Sequence, residues 1–156
     1  KSTMKISVIM NTINERQDYL SIAIESYLSQ NTPELEVELI VSTVTGDPNI
    51  EFIKSKYPKC KLITMERSLH PIGLGVKSPR GSFLQLNNAL PYITGDWFVF
   101  ASSNDISFNN KLIKEIEKCK SENKEVCYSA FTLIDEAGQY MGTQLFHDYE
   151  IKKHIH

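Results

Sequence analysis

The stretch FVFASSNDISFNNKL, Phe98 to Leu112, begins as an apolar strand and stops at Ala101-Ser102-Ser103-Asn104-Asp105. Small polar residues then lead to a helix start at Asn109-Asn110. Short polar side chains at a strand end let a small molecule lie close to the backbone. Read outward from here, the chain repeats this pattern twice. Lys5 to Met10 is an apolar, β-rich run that ends in Asn11-Thr12-Ile13-Asn14, and Val37 to Val41 ends in Ser42-Thr43.

Between these runs the apolar period changes from two to nearly four. Leu20, Ala23, Ile24, Tyr27 and Leu28 recur at helical spacing between Gln17 and Gln30, and Asn31-Thr32-Pro33 stops the helix. Ile50, Ile53 and Tyr57 predict a short helix halted by Pro58, and Lys61 to Met65 a third strand. A glycine- and proline-bearing segment follows from Glu66 to Gly81. Phe83 to Ile93 then reads as a helix that tolerates Pro91 near its end. Trp97 to Ala101 is the fourth strand, with Trp97 and Phe98 expected in the core, and Lys111 to Glu122 is an amphipathic helix. Val126 to Ile134 and Tyr140 to Phe146 read as a hairpin joined at Glu136-Ala137-Gly138.

Strands alternating with helices imply a mostly parallel central sheet with helices on both faces, followed by a C-terminal β-hairpin. Ligands of such sheets bind beyond the carboxyl ends of the strands. All three polar clusters fall at those ends, so the first, second and fourth strands are expected to lie side by side and share a cleft.

The totals narrow the class. With 156 residues, 41% of them hydrophobic, the chain can bury a real core, and its formal charge of -2 offers no overall field for nucleic acid. No apolar run is long enough to span a bilayer. Cys60, Cys119 and Cys127 are odd in number and form no CxxC pair, which suits reduced thiols in a cytoplasmic compartment. There is no GxSxG elbow and no Walker-type GK[ST], and the lone GxG at Gly73-Leu74-Gly75 opens no helix directly.

These pieces, in this order, resemble the nucleotide-binding part of a family-2 inverting glycosyltransferase of the GT-A fold. Ser7 to Arg16, with Ser26-Tyr27-Leu28-Ser29-Gln30, resembles the family's opening strand, its P-T-Y-N-R turn and a helix ending S-x-x-x-Q. Asn87 with Gly95-Asp96-Trp97-Phe98-Val99-Phe100 resembles N-x-G-x-x-x-A-x-G-x-Y-I-x-F. Ala101 to Asp105 stands where the family has L-D-x-D-D, and Asn110-Lys111-Leu112 follows as in P-x-K-L.

The resemblance implies a nucleotide-diphospho-sugar donor, a carbohydrate or lipid-linked acceptor, and a Mn²⁺ or Mg²⁺ ion that offsets charge on the diphosphate leaving group. Carried over, the nucleotide-sugar site comprises Thr12, Ile13, Asn14, Thr43, Asn87, Ser102, Ser103 and Asn104, with Asp105 and Asn104 toward the metal; Lys77 and Arg80 join it on their charge rather than on the resemblance. The D-x-D is degenerate: Ser102 and Asn104 replace its aspartates, Thr43-Val44 (or Ser42-Thr43 in a shifted register) replaces the aspartate pair after the second strand, and Leu86 stands at a phosphate-binding Arg. Lys77 and Arg80 in the glycine-bearing loop are the cations that can replace the lost charge.

In the resembled family the catalytic base lies well beyond the D-x-D. Residues 1–156 are therefore expected to form a single donor-binding domain that stops before the acceptor segment, located in the cytoplasm, with any membrane association left to a part outside this chain. The alternative is a non-catalytic GT-A-like module that binds a glycan or a protein.

Overall fold

The computed structural model describes residues 3–76, 78 and 80–144. The chain divides into two compact units, Lys1–Lys111 and Leu112–His156.

The first unit is built on a four-stranded parallel sheet. Its strands are β1 (Met4–Asn11), β2 (Leu35–Val44), β3 (Lys61–Met65) and β4 (Trp97–Ser102), in the order β3-β2-β1-β4. Helices α1 (Gln17–Leu28), α2 (Ile50–Lys56) and α3 (Arg80–Ala89) connect them. Parallel strands covered on both faces read as continuous apolar runs rather than alternating ones. Accordingly, Val8, Ile9, Met10, Leu39, Ile40 and Val41 are all buried. α1 buries Leu20, Ala23, Ile24 and Tyr27, spaced as one helical face requires. α3 packs on the face that carries Ile9 and Ile40, where Ala89, Leu86, Ile93 and Ile63 complete a cluster.

Several boundaries differ from the sequence reading, each for a physical reason. β2 runs on to Val44 because Thr43 and Val44 pair with Thr64 and Met65 of β3, so Ser42 and Thr43 lie within the strand, fully buried. α3 opens at Arg80 rather than at Phe83. It gives way at Pro91 to a 3-10 turn, Leu90–Tyr92, as a residue without an N–H donor favours. The glycine-bearing segment holds two further 3-10 turns, Arg67–Leu69 and Pro71–Leu74. Phe98 was expected in the core but is 52% exposed, since β4 is the edge of this sheet; its ring packs on Phe100 at 5.4 Å.

Low in the sheet, Glu38 closes a polar cluster. Its carboxylate accepts Ser7 Oγ at 2.8 Å, Lys61 Nζ at 2.9 Å, and Thr94 Oγ1 at 2.7 Å and N at 3.2 Å. Burial alone would push this carboxyl up. The hydrogen bonds from Lys61, Thr94 and Ser7 outweigh that and hold it at about 2, against an ordinary 4.5. Ser7 Oγ in turn accepts Gly95 N at 2.9 Å, which fixes the entry to β4. A Cβ on Gly95 would lie 2.7 Å from both Ser7 N and Trp97 O, so only glycine fits.

The second unit contains most of α4 (Lys111–Ser121), which buries Leu112, Ile116 and Cys119, and the antiparallel hairpin of β5 (Phe131–Ile134) and β6 (Tyr140–Gln144). The strand expected from Val126 begins only at Phe131. Before it, Cys127 Sγ and Ser129 Oγ bond to Glu115, at 3.6 Å and 2.8 Å. The hairpin turn is made by Asp135, whose carboxylate accepts the N–H groups of Ala137 and Gln139, with Gly138 in the left-handed region.

Candidate functional site

The order β2-β1-β4 places the three polar strand ends next to one another, with Asn11 in register with both Ser42 and Ser102. From these ends rise three loops: residues 12–16 after β1, 45–49 after β2, and 103–110 after β4. The sequence expectation that these tips share one rim is met.

Hydrogen bonds join the loops. Thr12 N donates to Ser42 O at 3.0 Å, and Ser103 N to Asn11 O at 3.2 Å. Asp47, buried at 4% exposure, accepts Asn14 N and Thr43 Oγ1 on one oxygen, at 2.8 and 2.9 Å, and Asn49 N on the other at 2.8 Å. Asn49 Nδ2 donates to Glu15 O at 2.7 Å, and Ser103 Oγ to the Glu15 carboxylate at 3.2 Å. Asn14 sits at φ 50°, a left-handed conformation that asparagine tolerates better than most residues.

The start of α3 is anchored under the same tips. Gln85 Nε2 donates to Thr12 O at 3.0 Å and Ser42 O at 2.8 Å; Ser42 Oγ returns a bond to Gln85 O at 2.8 Å, and Asn11 Nδ2 reaches Ser82 O at 2.8 Å. The loop after β4 is held from α1. Gln30 Nε2 donates to Ser107 Oγ at 2.8 Å, and Ser107 N donates to Ser26 Oγ at 3.0 Å. The serine and glutamine of the S-x-x-x-Q segment thus meet on one residue of the β4 loop.

Amid this bonding two buried polar atoms have no partner: Thr12 Oγ1 and Asn11 Oδ1. Thr12 is only 3% exposed. Such atoms ordinarily find a partner, and a ligand is one way to supply it.

The other expected residues are placed as follows. Ile13 is half-buried, and Asn14 is exposed beside it. Thr43 is fully buried and its hydroxyl donates to Asp47, which ties the end of β2 to the loop after it. Ser103 is buried, Ser102 half-buried, and Asn104 and Asp105 are exposed. Ser102 Oγ bonds Asn104 Oδ1 at 2.6 Å, and Asp105 N bonds Ser102 O at 3.2 Å, closing a turn. Desolvation raises the Asp105 carboxyl above its ordinary value. Arg80 begins α3 and is exposed; Asn87 is exposed in the second half of that helix. Lys77 lies outside the described residues.

Toward a divalent cation this tip offers the Asp105 carboxylate and the Asn104 amide oxygen. Among the described residues no group of three or more His, Cys, Asp or Glu is arranged to hold a metal. The donor set fits an oxygen-seeking ion whose remaining ligands are phosphate oxygens and water.

Sequence reasoning passed over Asp47, Gln85, Glu15 and Ser107. The run Gly46-Asp47-Pro48-Asn49 after the second strand is a turn composition, and it is the one local signal that an aspartate there bonds the chain around it.

No family model matches the chain. It is 28% identical over 137 residues to a protein named an uncharacterized glycosyltransferase from Rickettsia bellii (strain RML369-C), covering 88% of this chain and 18% of that protein. A second, from Methanocaldococcus jannaschii and also named an uncharacterized glycosyltransferase, is 25% identical over 138 residues, covering 87% and 44%. Among solved structures, S. aureus TarS 1-349 superposes with a TM-score of 0.56 at 22% identity, over 77% of this chain and 33% of that one. The same protein in complex with UDP gives 0.56 at 23%, and in complex with UDP-GlcNAc 0.52 at 21%, each over 77% of this chain and 33% and 32% of TarS respectively. The fold is thus of the GT-A glycosyltransferase type, and the curated relatives support a glycosyltransferase domain. The chain spans less than half the length of those relatives.

Proposed function

We propose that the shared rim of β1, β2 and β4 binds a nucleotide-activated sugar, as the donor-binding part of an inverting glycosyltransferase that acts on an acceptor hydroxyl. The observation that carries this reading is the pair of buried, unpartnered oxygens of Thr12 and Asn11, set where three hydrogen-bonded loops converge. A nucleotide hydroxyl or base N–H would satisfy them. The TarS complexes with UDP and UDP-GlcNAc support a uridine nucleotide as the first probe.

In this arrangement Asn14, Ser102 and Asn104 border the donor, and Arg80 contributes positive charge from the start of α3. Asp105 and Asn104 would hold a Mn²⁺ or Mg²⁺ ion, which lends charge stabilisation to the leaving diphosphate when bound. Inverting transfer also needs a general base opposite the leaving group; no residue of this chain is assigned to it. The three cysteines are free and suit a reducing, cytoplasmic setting. No helix among the described residues is long and apolar enough to cross a membrane.

Two observations favour the second reading, a GT-A-like module without transfer chemistry: Thr43 is consumed by Asp47, and Asp105 is the single carboxylate of the degenerate motif. Calorimetric titration with UDP, GDP, ADP and UDP-GlcNAc, with and without Mn²⁺, separates the two. Saturable binding that strengthens with metal supports the donor site. Silence from every nucleotide, alongside binding to an oligosaccharide, favours the module.

A further inference from the structure

The loop that bears Thr12 and Asn14 is held from both sides by buried side chains. On the β2 side, Asp47 binds Asn14 N and Thr43 Oγ1 through one oxygen and Asn49 N through the other, while Asn49 Nδ2 binds Glu15 O. On the β4 side, Ser103 Oγ binds the Glu15 carboxylate. Asp47, Asn49 and Ser103 are each at most 5% exposed. Asp47 spends both of its carboxylate oxygens inside the protein. Its carboxylate faces three protein donors, and one of these is the amide of Asn14, whose backbone is left-handed. Without that acceptor, extended and right-handed conformations of residue 14 become cheaper, and the loop loses the shape that holds Thr12 Oγ1 in place.

We propose that Asp47 is a positioning residue for nucleotide binding: it pre-organises the 12–16 loop, so that the cost of ordering that loop is met during folding rather than on binding. The inference rests on the nucleotide reading above. It assigns to Asp47 no contact with the nucleotide.

The test pairs calorimetry with UDP and amide hydrogen exchange on the chain and two variants, Asp47→Ala and Asn49→Ala, at a temperature where all are folded. Losing hydrogen bonds to a charged acceptor is expected to weaken UDP binding by about ten- to a hundred-fold in Asp47→Ala. Asn49→Ala, which frees only the Glu15 carbonyl, should weaken it less. The Asn14 amide should exchange faster in free Asp47→Ala, and saturating UDP should restore its protection, a restoration that a purely structural role does not predict. Binding within twofold of the parent, despite faster Asn14 exchange, overturns the inference and leaves the nucleotide reading standing. Weakened binding with unchanged Asn14 exchange overturns it as well. If Asp47→Ala does not fold, Asp47→Asn, which keeps the side chain's shape and replaces one acceptor oxygen, carries the same test. A parent that binds no nucleotide sinks the functional reading and this inference with it.

Discussion

Two polar clusters lie in one sheet, and they are finished differently. Around Glu38, every buried oxygen has its donor: Ser7, Lys61 and Thr94 surround the carboxylate, and Gly95 N completes Ser7. At the strand tips more hydrogen bonds are made, yet Thr12 Oγ1 and Asn11 Oδ1 are left over. A closed network rigidifies the fold. One that leaves buried acceptors open costs stability unless something else fills them. The difference separates a cluster that holds the sheet together from one that, on the function proposed above, receives a ligand, although both are built from serine, threonine and carboxylates.

The comparison can be broken most forcefully at Glu38. Glu38→Ala strands the donors around it and is expected to lower stability at pH 7 by about 3 kcal/mol, by the conversion of about 1.4 kcal/mol per unit of displaced pKa. Chemical denaturation measures it. The pH dependence follows in sign: a carboxyl held below its unfolded value contributes above that value. The parent's advantage over Glu38→Ala is thus full above pH 4.5 and is lost as pH falls from there through about 2. An advantage that persists undiminished at pH 2 would remove the charge from the explanation.

Gly95→Ala comes next. The added carbon meets backbone atoms of Ser7 and Trp97 that have little room to yield, and a loss of about 1 to 3 kcal/mol is expected in the same denaturation series.

Smaller, but more telling, is the pair Ser7→Ala and Thr12→Val. Removing the Ser7 hydroxyl should cost about 1 kcal/mol or more, because Glu38 and Gly95 lose a partner. Thr12→Val removes a hydroxyl with no partner and should leave the melting temperature unchanged or slightly raised, while UDP affinity falls about tenfold. If Thr12→Val destabilises the fold as much as Ser7→Ala does, the two clusters are not of different kinds.

The smallest effect is at Asp105. Desolvation raises its carboxyl, so on acidification it takes up a proton at a higher pH than an ordinary aspartate. Any Mn²⁺-dependent gain in UDP affinity should therefore fade at that higher pH, and Asp105→Asn should abolish the gain, as calorimetry across a pH series would show. A gain that survives Asp105→Asn moves the metal elsewhere.

Much of the fold was legible because its signals are local. The apolar period of β1, the helical spacing of α1 and the whole of β3 were readable residue by residue, whereas α3, expected to run through Pro91 to Ile93, ends at Ala89. What failed locally did so where pairing overrode it. β2 was read as ending at Val41, since Ser42 and Thr43 look like loop residues. Pairing with β3 keeps them in the strand. Phe98 looks like core, and its place on an edge strand leaves it exposed. Of the site, Thr12, Asn14, Ser103 and Asp105 stood out as polar residues at strand ends.

By itself, then, the sequence determined which segments become strands and helices and that three of the strands end in short polar residues, because those properties depend on neighbours a few positions away. Only the tertiary structure decided that Thr43 is a tether, that Asp47 reaches Asn14, that Gln85 sits under Thr12 and Ser42, and that Ser26 and Gln30 meet on Ser107. Those bonds join residues 33 to 81 positions apart, apart from the Thr43–Asp47 bond, which depends on how far β2 extends. They exist because the crossovers bring β2, β1 and β4 side by side, and no local pattern of side chains encodes which distant donor a buried acceptor will find.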